Sequence, residues 1–418
     1  MSSQKKDKST GVEYHCKELE RLLRKKLGEE LVLVNYKADN LIALGENFGS
    51  KILKIDAKIQ LSKNSKTENL YMIVKTVMET DYEVDWTTLL RKEIFMYTYI
   101  ITQYEKIEVQ RGLKRGLEIK SIVPTLYGHR MSLDENRSTA DQDALILLGN
   151  LTVQGYYVGD KKIGLDLEHS ILTLKSLAKF HAFGLAAKRQ YPSDFDLIKV
   201  QSDLVGFGSR ALEVGYAGIL NLFKTNPLFE QYSDRIEAIA TCRKDVWDVN
   251  PVSHEPWTTI IHGDFWTNNI MFHKDELGRL DDLKFIDFQT YRFADVFVDL
   301  VYFLGTSLND EVVSKHFDEM IDVYYVELVS VLRDLKVDLL DFERKKFDEG
   351  FKKDAGMEIL RCAVALNFFN SDVDENATEE DRLELFDKLI KCRSVSEQFS
   401  KKLLRVLQIY EEKGWLHY

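Results

Sequence analysis

The chain has little cysteine. Four residues among 418, Cys16, Cys242, Cys362 and Cys392, are far apart and form no C-x-x-C pair. That spacing excludes a zinc framework or a disulfide scaffold and leaves reduced core or surface thiols. A long apolar run is also missing: no stretch reaches the roughly 18 uncharged residues of a membrane span, and the opening MSSQKKDKST has no apolar h-region. The expectation is a soluble, cytoplasmic protein with no membrane partner. Positive charge is in deficit, with 57 Lys and Arg against 68 Asp and Glu, a formal net charge of -11 and a pI near 5.5. Nucleic acids and anionic membranes select concentrated basic surfaces, so small molecules are the expected partners. Repeats and low-complexity tracts are lacking too. What the chain does have is apolar content, 44% of its residues, enough for two domains or one large two-lobed unit.

The residues that organise the chain run from Ile260 to Gln289, IIHGDFWTNNIMFHKDELGRLDDLKFIDFQ. Apolar runs at Ile270 to Phe272 and Leu283 to Ile286 enclose Asp, Glu and Gly turn residues, a pattern that predicts a β-hairpin. Asp264 then stands in a loop before the first strand, Asn269 follows it, and Asp287 ends the second strand. Pairing brings all three to one edge. A hard cation such as Mg²⁺ takes oxygen ligands from a carboxylate and an amide, with substrate phosphates and water completing its shell. Asn269 and Asp287 are therefore the candidate metal ligands. Asp264 is left as the candidate catalytic base, accepting the proton of a hydroxyl that attacks the terminal phosphate of ATP, as in kinase loops where D-x-x-x-x-N precedes a metal-binding Asp. Asp and Asn are also the commonest residues of turns. His262-Gly263 ahead of Asp264, the second Asp and the apolar flanks favour the functional reading.

HGDFWTNNIMF, FIDFQ and the apolar, Asp-bearing VFVDLVYFLGTSL together resemble the insect ecdysteroid kinase-like family, itself related to choline and aminoglycoside kinases. The resemblance extends from about Leu44 to the C-terminal helices. It implies an α+β, bilobal, protein-kinase-like fold that phosphorylates small-molecule alcohols with ATP. A small β-rich N-terminal lobe for nucleotide binding would span residues 1–148, and a larger, mainly helical lobe for catalysis and acceptor binding would span 149–418.

Upstream, Leu19, Leu22, Leu23 and Leu27 recur at helical spacing within Val12 to Glu30, predicting a packing helix, and β-prone sequence begins at Leu31. LGENFGSKILKIDA, residues 44–57, reads either as a plain hairpin or as a phosphate-covering loop, in which glycine lets backbone N–H groups approach phosphate oxygens. The resemblance implies the second, with Gly45, Asn47, Phe48, Gly49 and Ser50 as nucleotide contacts. LYMIVKTV, residues 70–77, is an apolar strand with one lysine, which is costly unless Lys75 snorkels out or meets an anion. Its place matches the strand lysine of V-A-I-K. From Trp86 to Tyr104 the stripe Leu89, Leu90, Ile94, Tyr97 and Ile101 predicts one helix, with Glu93 beside the apolar face. Glu93 is the candidate partner holding Lys75 against the α- and β-phosphates. An edge-strand lysine and a solvated glutamate are the alternatives. Ala144 to Leu148 predicts a buried strand leading to a hinge at Gly149-Asn150, where relatives often carry Glu-Asp or Glu-Asn.

On the helix predicted for Leu167 to Arg189, His181 reads as a hydrogen-bonded core histidine rather than a base. Leu204 to Val249 is further helix by its period. Asp299 lies on an apolar helix and needs a partner. It reads as an acid bracing the catalytic loop or as a first-turn Asp favoured by the helix dipole. Residues 312–418 are mainly amphipathic helices, with Thr378-x-x-Asp381 resembling a capping box, and the resemblance implies that they wall the acceptor pocket. Gly263 stands where protein kinases carry an Arg that meets an activation-segment phosphate, and only residues 288–294 separate Asp287 from the next helix. Both features oppose a phosphorylation-switched protein kinase. The set Lys75, Glu93, Asp264, Asn269 and Asp287 opposes a degenerate, binding-only kinase fold. Phe265 and Trp266 suit a bulky apolar acceptor or serve as core anchors. The resemblance points to an ecdysteroid or xenobiotic alcohol, and the aromatic cage a choline site needs cannot be picked out of the chain.

Overall fold

The three leucines Leu19, Leu22 and Leu23 form the buried face of α1 (Leu19–Leu27). Alternating sequence then gives β1 (Val32–Asn40), β2 (Lys51–Gln60) and β3 (Glu68–Thr76), joined by β4 (Leu126–Arg130) and β5 (Leu145–Gly149). The strands pair antiparallel in the order β1-β2-β3-β5-β4. Leu53, Ile55, Met72, Val74, Leu145 and Leu147 pack with the α1 leucines in one core, each fully buried aliphatic contributing about 1.5–3 kcal/mol. Lys75 sits opposite Ile52 on β2 and Ile146 on β5. Strand alternation turns it to the face away from Met72 and Val74.

The computed structural model describes residues 16–40, 51–77, 85–113, 118–134, 136–137, 139–202, 209–242, 255–370, 384–385, 387–389, 391–393 and 395–416. The Gly45 to Ser50 loop and the Thr378-x-x-Asp381 capping box lie outside them. The chain forms two compact units, residues 1–78 with 125–150, and 79–124 with 151–418. The first unit ends at Asn150, whose N–H donates to the Tyr71 carbonyl at 3.1 Å.

A single cut at residue 148 would leave residues 79–124 with the sheet, whereas they pack in the second unit. The reason is aromatic. Trp86 to Arg111 forms α2 (Trp86–Phe95), a π-helical turn (Met96–Ile100) that interrupts the single helix expected, and α3 (Ile101–Arg111). Tyr97 meets Phe288 edge-on at 5.8 Å between centroids, and Tyr104 lies 6.0 Å from both Phe180 and Phe183.

Unit two also holds β6 (Tyr157–Val158), α4 (Leu167–Gln190), α5 (Pro192–Ser202), α6 (Ser209–Thr225) and α7 (Ser233–Cys242). Then come β7 (Thr258–Ile261), β8 (Ile270–Lys274), β9 (Leu280–Phe285) and β10 (Arg292–Asp295). The predicted hairpin is β8-β9, extended by β6, while β7 pairs with β10. The described helices that follow are α8 (Val296–Thr306), α9 (Asp310–Lys315), α10 (Phe317–Asp334), α11 (Arg344–Phe369) and α12 (Glu397–Glu412). A sheet-rich region and a helical region thus make a mixed α+β protein, as expected. α8 is buried along its whole length. It meets α11 closely because residue 305 is glycine: a Cβ there would lie 2.9 Å from the Cys362 sulfur. Cys16, Cys362 and Cys392 are buried thiols, none of them in a disulfide. Among the described residues, no helix is long and apolar enough to cross a membrane.

Candidate active site

The pairing of β7 with β10 sets Ile261 opposite Arg292 and launches the loop His262 to Asn269. Asp299, in the first turn of α8, accepts the His262 N–H at 2.6 Å and the Gly263 N–H at 2.9 Å. His181 on α4 reaches the same carboxylate with Nε2 at 3.3 Å and meets the Tyr324 hydroxyl with Nδ1 at 2.7 Å. Asp299, His181 and Tyr324 are fully buried. Burial by itself would raise the Asp299 carboxyl, but the His181 hydrogen bond, nearby imidazoles and the Gly263 amide hold it below the usual carboxylate range. Burial pushes the His181 imidazole down, against the pull of Asp299. Asp299 is therefore the brace of the loop, and His181 is a core residue.

Converging two successive N–H groups on one carboxylate bends the backbone at Gly263 to φ +83°. A Cβ at this position would collide with the Thr290 carbonyl oxygen. No side chain fits where protein kinases carry Arg. The Gly263 carbonyl accepts instead from Arg361 on α11.

Beyond Gly263 the three predicted residues come together. Asn269 closes a 3₁₀ turn, Thr267–Asn269, and its side-chain N–H₂ donates to the Asp264 carbonyl at 2.7 Å and to Asp264 Oδ2 at 3.0 Å. Its backbone carbonyl accepts the Ile286 N–H at 3.0 Å, and His262 Nε2 meets the Ile286 carbonyl at 3.0 Å. Ile286 is thus pinned from both sides, one residue before Asp287. Asp287 adopts the left-handed conformation, φ 66° and ψ 58°, rare for a residue with a side chain. Such strain, about 1–3 kcal/mol, persists where surrounding structure enforces it and clusters at functional sites. Asp264 is partly exposed, and Trp266 Nε1 donates to its Oδ2 at 3.3 Å. Burial raises its carboxyl above the usual range. Arg361 and His262 and the Asn269 hydrogen bond oppose this, and Asp287 adds to it.

Asn269 commits its N–H₂ to Asp264, so the oxygen it has left to offer is its amide carbonyl. With the Asp287 carboxylate this gives a sparse oxygen pair, suited to a Mg²⁺ ion that arrives with nucleotide phosphates. Among the described residues, no three His, Cys, Asp or Glu side chains group as an all-protein metal cage.

Glu93 is wholly buried on α2, so the solvated alternative does not hold. Its helix packs on the turn that carries Asp287. Burial together with the charges of Glu93 and Asp287 pushes the Tyr97 hydroxyl well above its ordinary value. Tyr97, Phe288 and His262 continue as an aromatic column, the last two 4.7 Å apart. Lys75 is buried in the first unit, at 6% exposure, which removes the edge-strand alternative.

The two aromatics beside Asp264 part company. Phe265 is a core anchor, fully buried against Phe285 at 4.8 Å and Phe303 at 5.6 Å. Trp266 is half-buried and stacks on Phe369 of α11, centroids 3.4 Å apart and planes 2° from parallel. Helices were expected over residues 312–418, but no residue of α11 was singled out for the site. Arg361 lies over the Tyr302 ring at 4.1 Å and pairs with Glu358 at 3.3 Å. The available signal was the one used for Lys75: charged residues, Glu358 and Arg361, set into the apolar helical run Ile359, Leu360, Cys362 and Ala363. Replacing Asp299 with Asn should cost about 1–3 kcal/mol, because a carboxamide cannot accept both loop N–H groups and His181. Thermal unfolding should show a Tm several degrees lower, and a Tm within about 1 °C of the native value would mean that the brace carries little.

A family model described as the ecdysteroid kinase-like family matches residues 44–337. No curated protein matches the chain. Among solved structures, the chain is similar to choline kinase from Cryptosporidium parvum, at 9% identity over 91% of this chain and 93% of that one, with a TM-score of 0.44. It is similar also to an ethanolamine kinase from Plasmodium vivax, at 11% identity over 88% and 85%, TM-score 0.36. A third is the GDP complex of aminoglycoside 2′-phosphotransferase-IIIa, at 15% identity over 90% and 98%, TM-score 0.39.

Proposed function

The chain belongs to the ecdysteroid kinase-like family, and from that premise we propose that it transfers the γ-phosphoryl group of ATP to a hydroxyl of a lipophilic alcohol, an ecdysteroid or xenobiotic. Family membership makes it a phosphotransferase acting on small-molecule hydroxyls. The observation that carries the finer reading is the meeting of Asp264, Asn269 and Asp287 at one loop and turn. Asp264 takes the proton of the acceptor hydroxyl as its oxygen bonds to the γ-phosphorus, and the bond from that phosphorus to the ADP oxygen breaks. Asn269 and Asp287 hold Mg²⁺, whose contribution when bound is to neutralise phosphate charge. Family membership supports assigning Lys75 and Glu93 to the α- and β-phosphates, and Gly45, Asn47, Phe48, Gly49 and Ser50, which lie outside the described residues, as further phosphate contacts. The half-buried Trp266 on Phe369 offers the acceptor a planar apolar surface. The place of action is the cytoplasm.

Asp287→Ala should abolish Mg²⁺-dependent ATP binding, since the ion loses its carboxylate. Calorimetry that finds unchanged affinity at saturating Mg²⁺ would sink the assignment. Asp264→Asn should lower turnover by about 10²-fold or more with ATP affinity retained, because an amide cannot take the proton. Equal losses in both would make Asp264 structural. A mass-spectrometric screen with Mg²⁺-ATP should show ecdysone phosphorylated more readily than choline or kanamycin. Preference for choline or kanamycin would overturn the lipophilic acceptor and leave the kinase reading intact.

A further inference from the structure

The peptide linking Gly263 to Asp264 sets where the Asp264 carboxylate points, and its two polar ends are held unequally. The Asp264 N–H reaches His262 Nδ1 only at 3.4 Å, a weak bond. The Gly263 carbonyl accepts a charge-assisted bond from Arg361, 98 positions away on α11. One residue earlier, the brace from Asp299 holds the Gly263 N–H. The loop is therefore gripped from α8 on one side and from α11 on the other, and the second grip is the one next to the base.

Arg361 is itself immobilised. Glu358, one helical turn back and almost fully buried, pairs with it at 3.3 Å, and the guanidinium carbon lies over the Tyr302 ring, 4.1 Å from its centroid. A rigid, planar fork with several donors holds a carbonyl at a fixed angle and keeps its charge beside a carboxylate, which a lysine ammonium on a flexible stem does less well. Burial and the neighbouring Asp264 carboxylate push the Tyr302 hydroxyl well above its ordinary value. Glu358, Arg361, Tyr302 and Asp264 thus form one connected set.

We propose that Arg361 is a positioning residue for phosphoryl transfer: by holding the Gly263 carbonyl it fixes the plane of the Gly263–Asp264 peptide and so aims the Asp264 carboxylate at the acceptor hydroxyl. The proposal rests on the reading of Asp264 as the base. It makes α11 part of the catalytic apparatus as well as a wall of the acceptor side. An error of about 1 Å in placing a catalytic group costs about 10²-fold in rate.

The test is steady-state kinetics on the full chain with Mg²⁺-ATP. The acceptor is ecdysone or, where the native protein prefers them, the choline or kanamycin of the same screen. Arg361→Met, Arg361→Lys and Asp264→Asn are compared with the native protein. Arg361→Met should lower kcat by about 10²-fold with the KM for Mg²⁺-ATP within about twofold, and Arg361→Lys should recover about tenfold of that loss. Three outcomes overturn the proposal. If Arg361→Met stays within about threefold of native kcat while Asp264→Asn loses about 10²-fold, the base stands and the positioning role falls. If both Arg361 variants lose kcat, Mg²⁺-ATP affinity and thermal stability together, the arginine is merely structural. If Asp264→Asn is fully active, or the native protein phosphorylates none of the three alcohols, the reading of the base fails and the inference fails with it.

Discussion

One buried carboxylate constrains more of this structure than any other group. Asp299 is out of contact with water, and an ionised acid there is tolerated only when its lone pairs are filled. The fillers come from two places: two N–H groups of the loop after β7, and an imidazole on α4 that a hydroxyl on α10 holds from its other side. None of these reaches Asp299 until the helices have packed. The loop's shape is therefore a product of folding the helical unit. Left-handed backbone at Gly263 follows from it, and so does the exclusion of any side chain at that position.

The hairpin, the loop and the three acidic or amide positions were legible because each rests on a local rule. Turn residues between apolar runs gave β8-β9. Five-residue spacing and strand-end placement gave Asp264, Asn269 and Asp287. Leu19, Leu22 and Leu23 gave α1 by period alone. Lys75 and Glu93 were visible as charges among apolar neighbours, and both are buried. Asp299 was open between two readings, and the hydrogen bonds to His262 and Gly263 select the brace.

What was not legible depended on contacts between distant segments. Phe265 and Trp266 are adjacent in sequence and alike in chemistry, yet strand-end geometry sends one among Phe285 and Phe303 and the other onto Phe369. Pattern and composition hold nothing to separate them. The assignment of α2 and α3 to the helical unit rests on Tyr97 and Tyr104 finding Phe288, Phe180 and Phe183, which lie some 75 to 190 positions onward. Arg361 is the sharpest case, since its partners Gly263 and Tyr302 stand at unrelated positions on other elements.

The same contacts decide what kind of switch the site does without. In a protein kinase the Arg before the catalytic Asp waits for a phosphate on a long activation segment, so assembly of the loop is conditional. Here the corresponding residue has no room for a side chain, and the segment after Asp287 turns into β10 within a few residues. The guanidinium next to the loop arrives from α11, and its counter-charge, Glu358, travels on the same helix. Both halves of that ion pair are delivered by one folding event, with no added phosphate to wait for. A loop braced by Asp299 and gripped by Arg361 is assembled as the helical unit folds.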